Sequence, residues 1–495
     1  MKKDFHAFQR ISFLLCMVIL MGLFAACKTE DKGQSSETKT SKNTEAPTVG
    51  TDLVDGYVPD SLDGLHFDRE FLLLASHNQR SHFYADETTT TVIGKAIYKR
   101  NETVENRLGI ELKWELRGDN AESEKDAFIK LVEADIQSGH EIDAIASYNL
   151  TPYTLASKGY CTNLAETEHI DLSGPWWPSE FLDHMLYNGK IFALVDSCGV
   201  GTLTNLSGIF FNNDLLEAKA IESPYELVAK NQWTIPKLRE LIKDTYEDKN
   251  RDGKENSPDV YGLCTSSSAR MSCWYYGAGL RFSEMDESGQ LRLIANDVEK
   301  FTAVLDSIAE LFNTQDAFLY EDGSTRYTIF KEERVYFYLS TLTLCTNMVN
   351  AGVTVNYGVV PNPKFNSEQE RYYTHLPNSH EAWYIPTGVD DLDCSSAFLE
   401  CMASEAYRQL NEVFFETNLK LRYAPDERLA AMYDLIRESI TFDFVYVYKN
   451  VFSVNCDNVA LGCMQKPESN KWATSWGQIS SSVTDDFEKM LAIYQ

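Results

Sequence analysis

Three stretches of sequence decide the fold: FLLLA at residues 71–75, IELKWEL at 110–116 and IDAIA at 142–146. The first is a continuous apolar run, as in a strand covered on both faces, and the second alternates apolar with charged residues at the period of a strand. Between them, apolar side chains recur at helical spacing, at Val92, Ile97, Val104 and Leu108 and again at Phe128, Val132 and Ile136. Alternating strands and helices predict βαβ units around a largely parallel sheet, which is an α/β fold.

The N-terminus has the pattern of a secretory signal. A basic start precedes an apolar run at residues 11–24, which is too short to span a bilayer comfortably. The run ends in Leu-Phe-Ala-Ala-Cys at residues 23–27, which resembles the lipobox of bacterial lipoproteins. We therefore expect residues 1–27 to carry a lipoprotein signal peptide with its lipobox. Cys27 would bear the lipid, a palmitate-type anchor, on the extracytoplasmic face of the cell membrane.

Residues 28–66 differ in composition from the rest of the chain. Most of this segment is rich in Lys, Glu, Ser and Thr and holds few large apolar side chains. Such a segment cannot bury enough surface to fold, so we expect a disordered tether between the membrane and the folded part. The chain beyond residue 66 is long enough for two or more domains.

The chain is strongly acidic, with 74 Asp and Glu against 45 Lys and Arg and a net charge of −29. This balance argues against nucleic acid as a partner, because phosphate binding needs a basic surface, and it is compatible with an uncharged or cationic ligand. Of the 11 cysteines, nine lie beyond Cys27, an odd number with no C-x-x-C pair. We expect them to be small buried hydrophobic residues rather than a full disulfide framework.

Four stretches carry a resemblance to a known family: residues 96–105, 208–216, 248–262 and 357–364. In this order and spacing they resemble the family 1 extracellular solute-binding proteins of ABC importers, the carbohydrate-type group. The second stretch is similar to the strand and helix at which that family's chain crosses between lobes, although Asn213 stands where the family usually has lysine.

The resemblance implies a two-lobed periplasmic-binding-protein-like fold with discontinuous lobes and a hinge. Lobe 1 would comprise residues 67–204 plus 320–370, and lobe 2 would comprise residues 205–319 plus 371–495. It also implies a small solute, a sugar or oligosaccharide, as ligand and ABC permease subunits as partners.

A sugar site needs flat aromatic rings for the C–H faces of the sugar beside amide, hydroxyl or guanidinium groups for its hydroxyls. In open α/β sheets such groups collect beyond the carboxyl ends of strands. The polar candidates by this rule are Asn78, Gln79, Arg80, Ser147 and Tyr148. The aromatic candidates are Trp274, Tyr275 and Trp383. Core packing is the alternative role for each tryptophan.

Residues 248–259 have the pattern of a calcium loop. Oxygen-bearing side chains stand at loop positions 1, 3, 5, 9 and 12, with Gly253 at position 6 for the sharp turn. The predicted ligands are Asp248, Asn250, Asp252, Lys254 and Asp259. Asp259 replaces the usual glutamate and Glu255 the usual aliphatic residue, so a metal-free Asn/Asp/Gly turn is the alternative. Calcium would be structural, and no other cofactor is expected.

No G-x-S-x-G, H-E-x-x-H or G-x-x-x-x-G-K-[ST] motif is present, so we predict no catalytic residues and no enzyme activity. Two alternatives stay open. A secreted carbohydrate-active hydrolase would use two facing carboxylates, and an adhesion-type surface lipoprotein would need no deep cleft.

Overall fold

The computed structural model describes residues 58–120, 122–268, 270–320, 325–377, 380–411, 413–414 and 427–495. The predicted signal peptide, Cys27 and the tether up to residue 57 lie outside these residues. Among the described helices, none combines the length and apolar character needed to cross a membrane.

The first sheet contains the three stretches at residues 71–75, 110–116 and 142–146. Its strands are β1 (Arg69–Ser76), β2 (Ile110–Arg117), β3 (Ala144–Tyr148) and β12 (Glu381–Tyr384). Their order is β12-β3-β1-β2, with β1 parallel to both β2 and β3 and β12 antiparallel to β3. Thr91 and Gly109 bound the helix that follows β1: the Thr91 hydroxyl accepts a hydrogen bond from the Gly94 amide, and Gly109 closes the helix at a φ of 62°. The predicted parallel arrangement is confirmed.

The second sheet contains five strands: β4 (Ser207–Asn212), β5 (Tyr261–Ser266), β8 (Ala317–Tyr320), β9 (Val335–Thr341) and β10 (Tyr357–Val360). Their order is β10-β4-β9-β5-β8. All residues of β4, β5 and β9 are buried, so these strands are covered on both faces. Two small ladders join β6 (Ser283–Met285) to β7 (Leu291–Leu293) and β11 (Thr374–His375) to β13 (Ile440–Thr441).

Helices cover both sheets. In the described residues they are α1 (Val92–Leu108), α2 (Glu122–Ser138), α3 (Thr151–Ala156), α4 (Ser179–Met185), α5 (Val200–Asn205), α6 (Asn213–Ala218), α7 (Pro224–Ala229), α8 (Ile235–Ile242), α9 (Ser272–Gly277), α10 (Val298–Phe312), α11 (Thr325–Lys331), α12 (Thr343–Asn350), α13 (Leu392–Glu405), α14 (Glu427–Glu438), α15 (Phe444–Val447), α16 (Cys456–Gln465) and α17 (Trp472–Ala492). A π-helical turn, Ala406–Leu410, continues α13.

Strand pairing corrects the predicted lobe boundaries. β9 and β10 lie within residues 320–370, predicted for lobe 1, yet they pair with β4 and β5 of the second sheet. β12 and α13 lie within residues 371–495, predicted for lobe 2, yet β12 pairs with β3 and α13 packs on α1. An apolar run shows that a strand is buried but does not identify its partner, because pairing is set by contacts distant in sequence.

The cysteines follow the sequence prediction. All nine cysteines in the described residues are buried and none forms a disulfide. Burial raises the pKa of the Cys198 thiol to about 12. These residues are therefore uncharged at neutral pH and pack as small hydrophobic side chains.

Candidate solute-binding cleft

A cleft of about 470 Å³ opens between the two sheets. One wall comes from residues that follow β1 and β2 and from the end of β3, and the other comes from residues at or beyond the ends of β5 and β9. Its lining is Asn78, Gln79, Ser81, His82, Ile93, Asn120, Tyr148, Val200, Thr204, Asn205, Arg270, Tyr327, Thr341, Thr343 and Thr346. The cleft thus lies at the strand ends where open α/β sheets place their ligands.

Three predicted residues line this cleft: Asn78, Gln79 and Tyr148. The buried Asp119 positions two of them, because its amide donates to Asn78 Oδ1 (3.1 Å) and its Oδ2 accepts from the Tyr148 amide (2.6 Å). Ser76 Oγ donates to the other Asp119 oxygen at 2.5 Å. Burial raises the pKa of Asp119. Asp119 therefore links the ends of β1 and β3 to the loop after β2.

Gln79 is held at one end only. Its Nε2 donates to the His380 carbonyl (3.0 Å), whereas its Oε1 is buried without a hydrogen-bond partner among the described residues. A buried amide oxygen without a donor costs free energy, and a ligand hydroxyl would remove that cost.

Three predicted aromatic residues lie in the core instead. Trp274 is fully buried edge-on against Phe312, with the ring centroids 5.3 Å apart. Tyr275 is buried with its hydroxyl donating to Asp457 (2.7 Å). Trp383 is 4% exposed and packs against Phe83, with the centroids 5.8 Å apart. None of the three lines the cleft, so the structure places these predicted residues in the core rather than with the polar candidates.

The remaining two predicted residues also lie elsewhere. Ser147 precedes Tyr148 on β3, so its side chain points to the opposite face of the sheet, where it donates to the Tyr384 hydroxyl (3.0 Å). Arg80 is exposed and contacts the ring of His77 (3.0 Å) rather than the cleft. Both are corrections to the prediction.

Several lining residues were not among the sequence candidates. Asn120 follows β2, a strand that the sequence did indicate. Arg270 follows β5, and Thr341, Thr343 and Thr346 follow the apolar run of β9, two strands that were not assigned from the sequence. The strand-end rule that selected Asn78 selects these residues too once their strands are known. Tyr327 on α11 carried no such signal.

A buried carboxylate orients one cleft residue. His82 Nδ1 lies 2.8 Å from Oε2 of Glu381, whose side chain is 3% exposed. Burial alone would raise the pKa of Glu381, but the His82 ring more than offsets it and the pKa is lowered. Gly201 leaves room for this pair, since a Cβ there would collide with Glu381 Oε2 and His82 Nδ1.

The predicted calcium loop lies before β5, outside the cleft lining. Asp248 accepts from the amides of Asp252 (3.2 Å) and Gly253 (2.9 Å), and Gly253 has a φ of 70°. The Asn250 and Asn256 amide groups contact Asp252 Oδ2 at 3.0 and 2.7 Å, so these side chains converge. Asp259 is buried and accepts from the amides of Lys249 (3.2 Å) and Asn256 (3.1 Å). Its carboxylate holds the loop closed in this structure.

The sequence matches no protein-family model and no curated protein. Solved structures do align. The GacH receptor of Streptomyces glaucescens GLA.O, solved unliganded and with acarbose, aligns over 87% of this chain and 100% of its own, with a TM-score of 0.53 and 15% identity. An ABC substrate-binding protein of Listeria monocytogenes in complex with cycloalternan aligns over 86% and 99%, with a TM-score of 0.52 and 14% identity.

A third solved structure is the maltose/maltodextrin-binding domain MalE of Bdellovibrio bacteriovorus bound to maltotriose. It aligns over 85% of this chain and 100% of its own, with a TM-score of 0.53 and 14% identity. The chain has the two-lobed fold of the maltose-binding proteins. In this fold the two sheets are the cores of the two lobes, so the cleft lined by Asn78, Tyr148 and Arg270 lies between the lobes. The predicted fold class is confirmed.

Proposed function

We propose that this protein is an extracellular solute-binding lipoprotein that captures a sugar or oligosaccharide and delivers it to an ABC importer. The observation that carries the proposal is the inter-lobe cleft, which combines two half-buried tyrosines, Tyr148 and Tyr327, with amide and hydroxyl side chains. Tyrosine rings suit the C–H faces of a sugar and the polar groups suit its hydroxyls. The sugar ligands named for the three aligned proteins support this class of ligand.

Both lobes contribute to the lining, so a bound solute contacts both at once. A ligand that contacts both lobes stabilises the closed arrangement, in which the lobes lie closer together. The lobes then close on the ligand by a hinge motion. Gln79 and Tyr148 supply the first wall, and Arg270, Tyr327 and Thr343 supply the second. ABC permease subunits would receive the closed form.

The lining also favours a receptor over a hydrolase. Among the described residues that line the cleft there is no Asp or Glu. Glycoside hydrolysis ordinarily needs two carboxyl groups flanking the scissile bond. Recovery of the sugar unchanged from the complex is the expected result, and release of a shorter product would favour the hydrolase.

A thermal-shift screen against mono- and oligosaccharides tests the proposal, because a ligand that binds only the folded state raises the Tm. For a sugar that raises the Tm, Tyr327→Ala should weaken binding by about tenfold to a hundredfold, the effect of ~1–3 kcal/mol of lost ring contact. Tyr160→Ala is the matched control, since Tyr160 is also half-buried but lies outside the lining. Equal losses in the two variants would contradict the assigned site.

We also propose that Cys27 carries the lipid anchor and that the folded part is held outside the membrane. The small-small-Cys ending at residues 25–27 supports the anchor. Cys27→Ser should release the protein into the medium of an expressing bacterial host. Retention of that variant in the membrane fraction would refute the anchor.

A structural calcium ion in the loop at residues 248–259 is a further proposal. Asp248, Asn250 and Asp252 carry side-chain oxygens, the ligand type that calcium prefers, and hydrogen bonds link them within one turn. Asp259 would have to exchange its present amide partners for the ion. Calorimetry on chelator-stripped protein should show one saturable site that Asp252→Ala removes. Asp286→Ala is the control, because Asp286 also accepts amide hydrogen bonds in an exposed turn. Absence of a binding heat at millimolar calcium would contradict the calcium site and support the metal-free turn.

A further inference from the structure

The charge of the cleft is opposite to the charge of the chain. The chain carries 74 acidic and 45 basic residues, yet the described cleft lining contains no carboxylate and does contain Arg270. The Glu381 carboxylate lies behind the lining, where it contacts His82. In a protein with a net charge of −29, a lining that contains a guanidinium group and no carboxylate is suited to a ligand with negative charge.

Arg270 is buried, and its charge has no partner among the residues that the structure describes. The residue is only 5% exposed, and its Nε has no hydrogen-bond partner among the described residues. No hydrogen bond or ion pair of its guanidinium is found with any other described side chain or carbonyl. An unpaired buried charge is costly, so such a group is expected to pair with a ligand.

Other buried arginines of the described chain do have partners. Arg100 donates to Asn101 Oδ1 (2.8 Å) and to the Phe83 carbonyl (3.1 Å). Arg334 pairs with Glu332 (2.8 Å) and donates to the carbonyl of Asp259 (3.1 Å). The comparison shows that the fold satisfies buried guanidinium groups elsewhere, and Arg270 differs from them by facing the cleft.

Gln79 supplies the complementary half of the site. Its Oε1, on the wall from the first lobe, is also buried without a partner in the described part of the chain, and an amide oxygen accepts a hydrogen bond from a hydroxyl. A single ligand that carries both an anionic group and hydroxyls would therefore satisfy both the Arg270 guanidinium and Gln79 Oε1. A neutral sugar would satisfy Gln79 and leave Arg270 unpaired.

We propose that the solute is an acidic carbohydrate whose carboxylate or sulfate group binds Arg270. This inference rests on the proposed function, since it specifies the sugar that the same cleft takes. A planar guanidinium donates two parallel hydrogen bonds to a carboxylate or sulfate, which fixes the orientation of the sugar as well as adding affinity.

The test compares sugars of equal length that differ in charge. Calorimetry would measure a digalacturonate, a sulfated disaccharide and the uncharged galactobiose against the full chain. One of the two acidic sugars should bind at least about tenfold more tightly than the neutral one, and its affinity should fall as salt rises. The preferred acid identifies the group as carboxylate or sulfate.

Arg270→Gln should abolish the preference, so that the acidic and neutral sugars bind this variant with affinities within about threefold of each other. Arg270→Lys keeps the charge but cannot donate two parallel hydrogen bonds, so it should retain part of the preference for the acidic sugar. This variant also tests the proposal if the glutamine variant does not fold. Arg281→Gln is the control, because Arg281 lies outside the lining and contacts Thr441 (2.8 Å). Equal affinity for acidic and neutral sugars in the unmodified protein would overturn this inference and leave the proposed function standing. Binding of neither kind, across the wider sugar screen, would overturn the proposed function itself.

Discussion

Asp60 joins the start of the described chain to the body of the first lobe, and its removal should be costly. The Asp60 side chain is 1% exposed. It accepts two hydrogen bonds from the Arg107 guanidinium (2.8 and 2.9 Å) and one each from Arg408 and Ser404 (both 2.8 Å). Arg107 lies on α1, while Ser404 and Arg408 lie at the end of α13 and in the π-helical turn.

The size of the effect follows from the pKa of this carboxyl group. Burial alone would raise the pKa, but the hydrogen bonds from Arg107 and Ser404 and the charges of Arg107 and Arg408 more than offset it and lower the pKa from 3.8 to about 2. A carboxyl group with a lowered folded-state pKa stabilises the fold above its unfolded pKa and loses that contribution as pH falls through the folded value. At about 1.4 kcal/mol per pH unit, the contribution at neutral pH is about 2.5 kcal/mol.

Asp60→Asn should therefore lower the free energy of unfolding by about 2–3 kcal/mol at pH 7. The difference from the unmodified protein should shrink to about half near pH 3 and vanish below about pH 2. Urea unfolding of both proteins at pH 7, 5 and 3 measures the loss of stability at neutral pH and its decrease as pH falls. A loss of equal size at pH 7 and pH 3 would refute the reasoning, because it would show that packing rather than charge is responsible.

Three further changes test other contacts. Gly201→Ala should destabilise the fold by about 1–3 kcal/mol in urea unfolding, because its Cβ would collide with Glu381 and His82. Gly477 is exposed on α17 with no atom near the new Cβ, so Gly477→Ala should increase the free energy of unfolding by about 0.5–1 kcal/mol. Burial raises the pKa of Glu400 from 4.5 to about 8, so stability should fall as pH rises between these values. Glu400→Gln should reduce this dependence of stability on pH, and an unchanged dependence would contradict the role of Glu400. Trp274→Ala should lower the free energy of unfolding, measured by calorimetry, by about 3–5 kcal/mol. Its sugar affinity should be unchanged at temperatures where the variant is folded, and a selective loss of affinity would show that Trp274 contacts the ligand.

Local pattern was enough to predict three of the four strands of the first sheet. The runs at residues 71–75, 110–116 and 142–146 became three parallel strands because periodicity and apolar continuity are properties of the segment itself. The lobe boundaries could not be predicted in the same way. Val335–Thr341 is as apolar as β1, and nothing in its own residues shows that it pairs with β4 and β5.

Strand-end geometry and residue type differ in how well they select residues of the cleft. The strand-end rule selected Asn78, Gln79 and Tyr148, which line the cleft, and also Arg80 and Ser147, which do not, because chain direction fixes where a strand ends but not where each side chain points. Trp274 and Trp383 were selected because sugars stack on aromatic rings, but a large apolar ring is equally suited to the core, where both lie. The net charge of the chain does not describe the cleft, because the described lining contains no Asp or Glu.

The burial of every described cysteine makes this protein convenient to label. A thiol reagent reacts with an exposed thiolate, and the nine described cysteines offer none at neutral pH because they are buried. A cysteine substituted at Asn120, which is exposed at the edge of the cleft, would be the one solvent-exposed thiol within the described residues. An environment-sensitive dye attached there would turn the protein into an optical sensor for its solute without removal of any cysteine from the folded part.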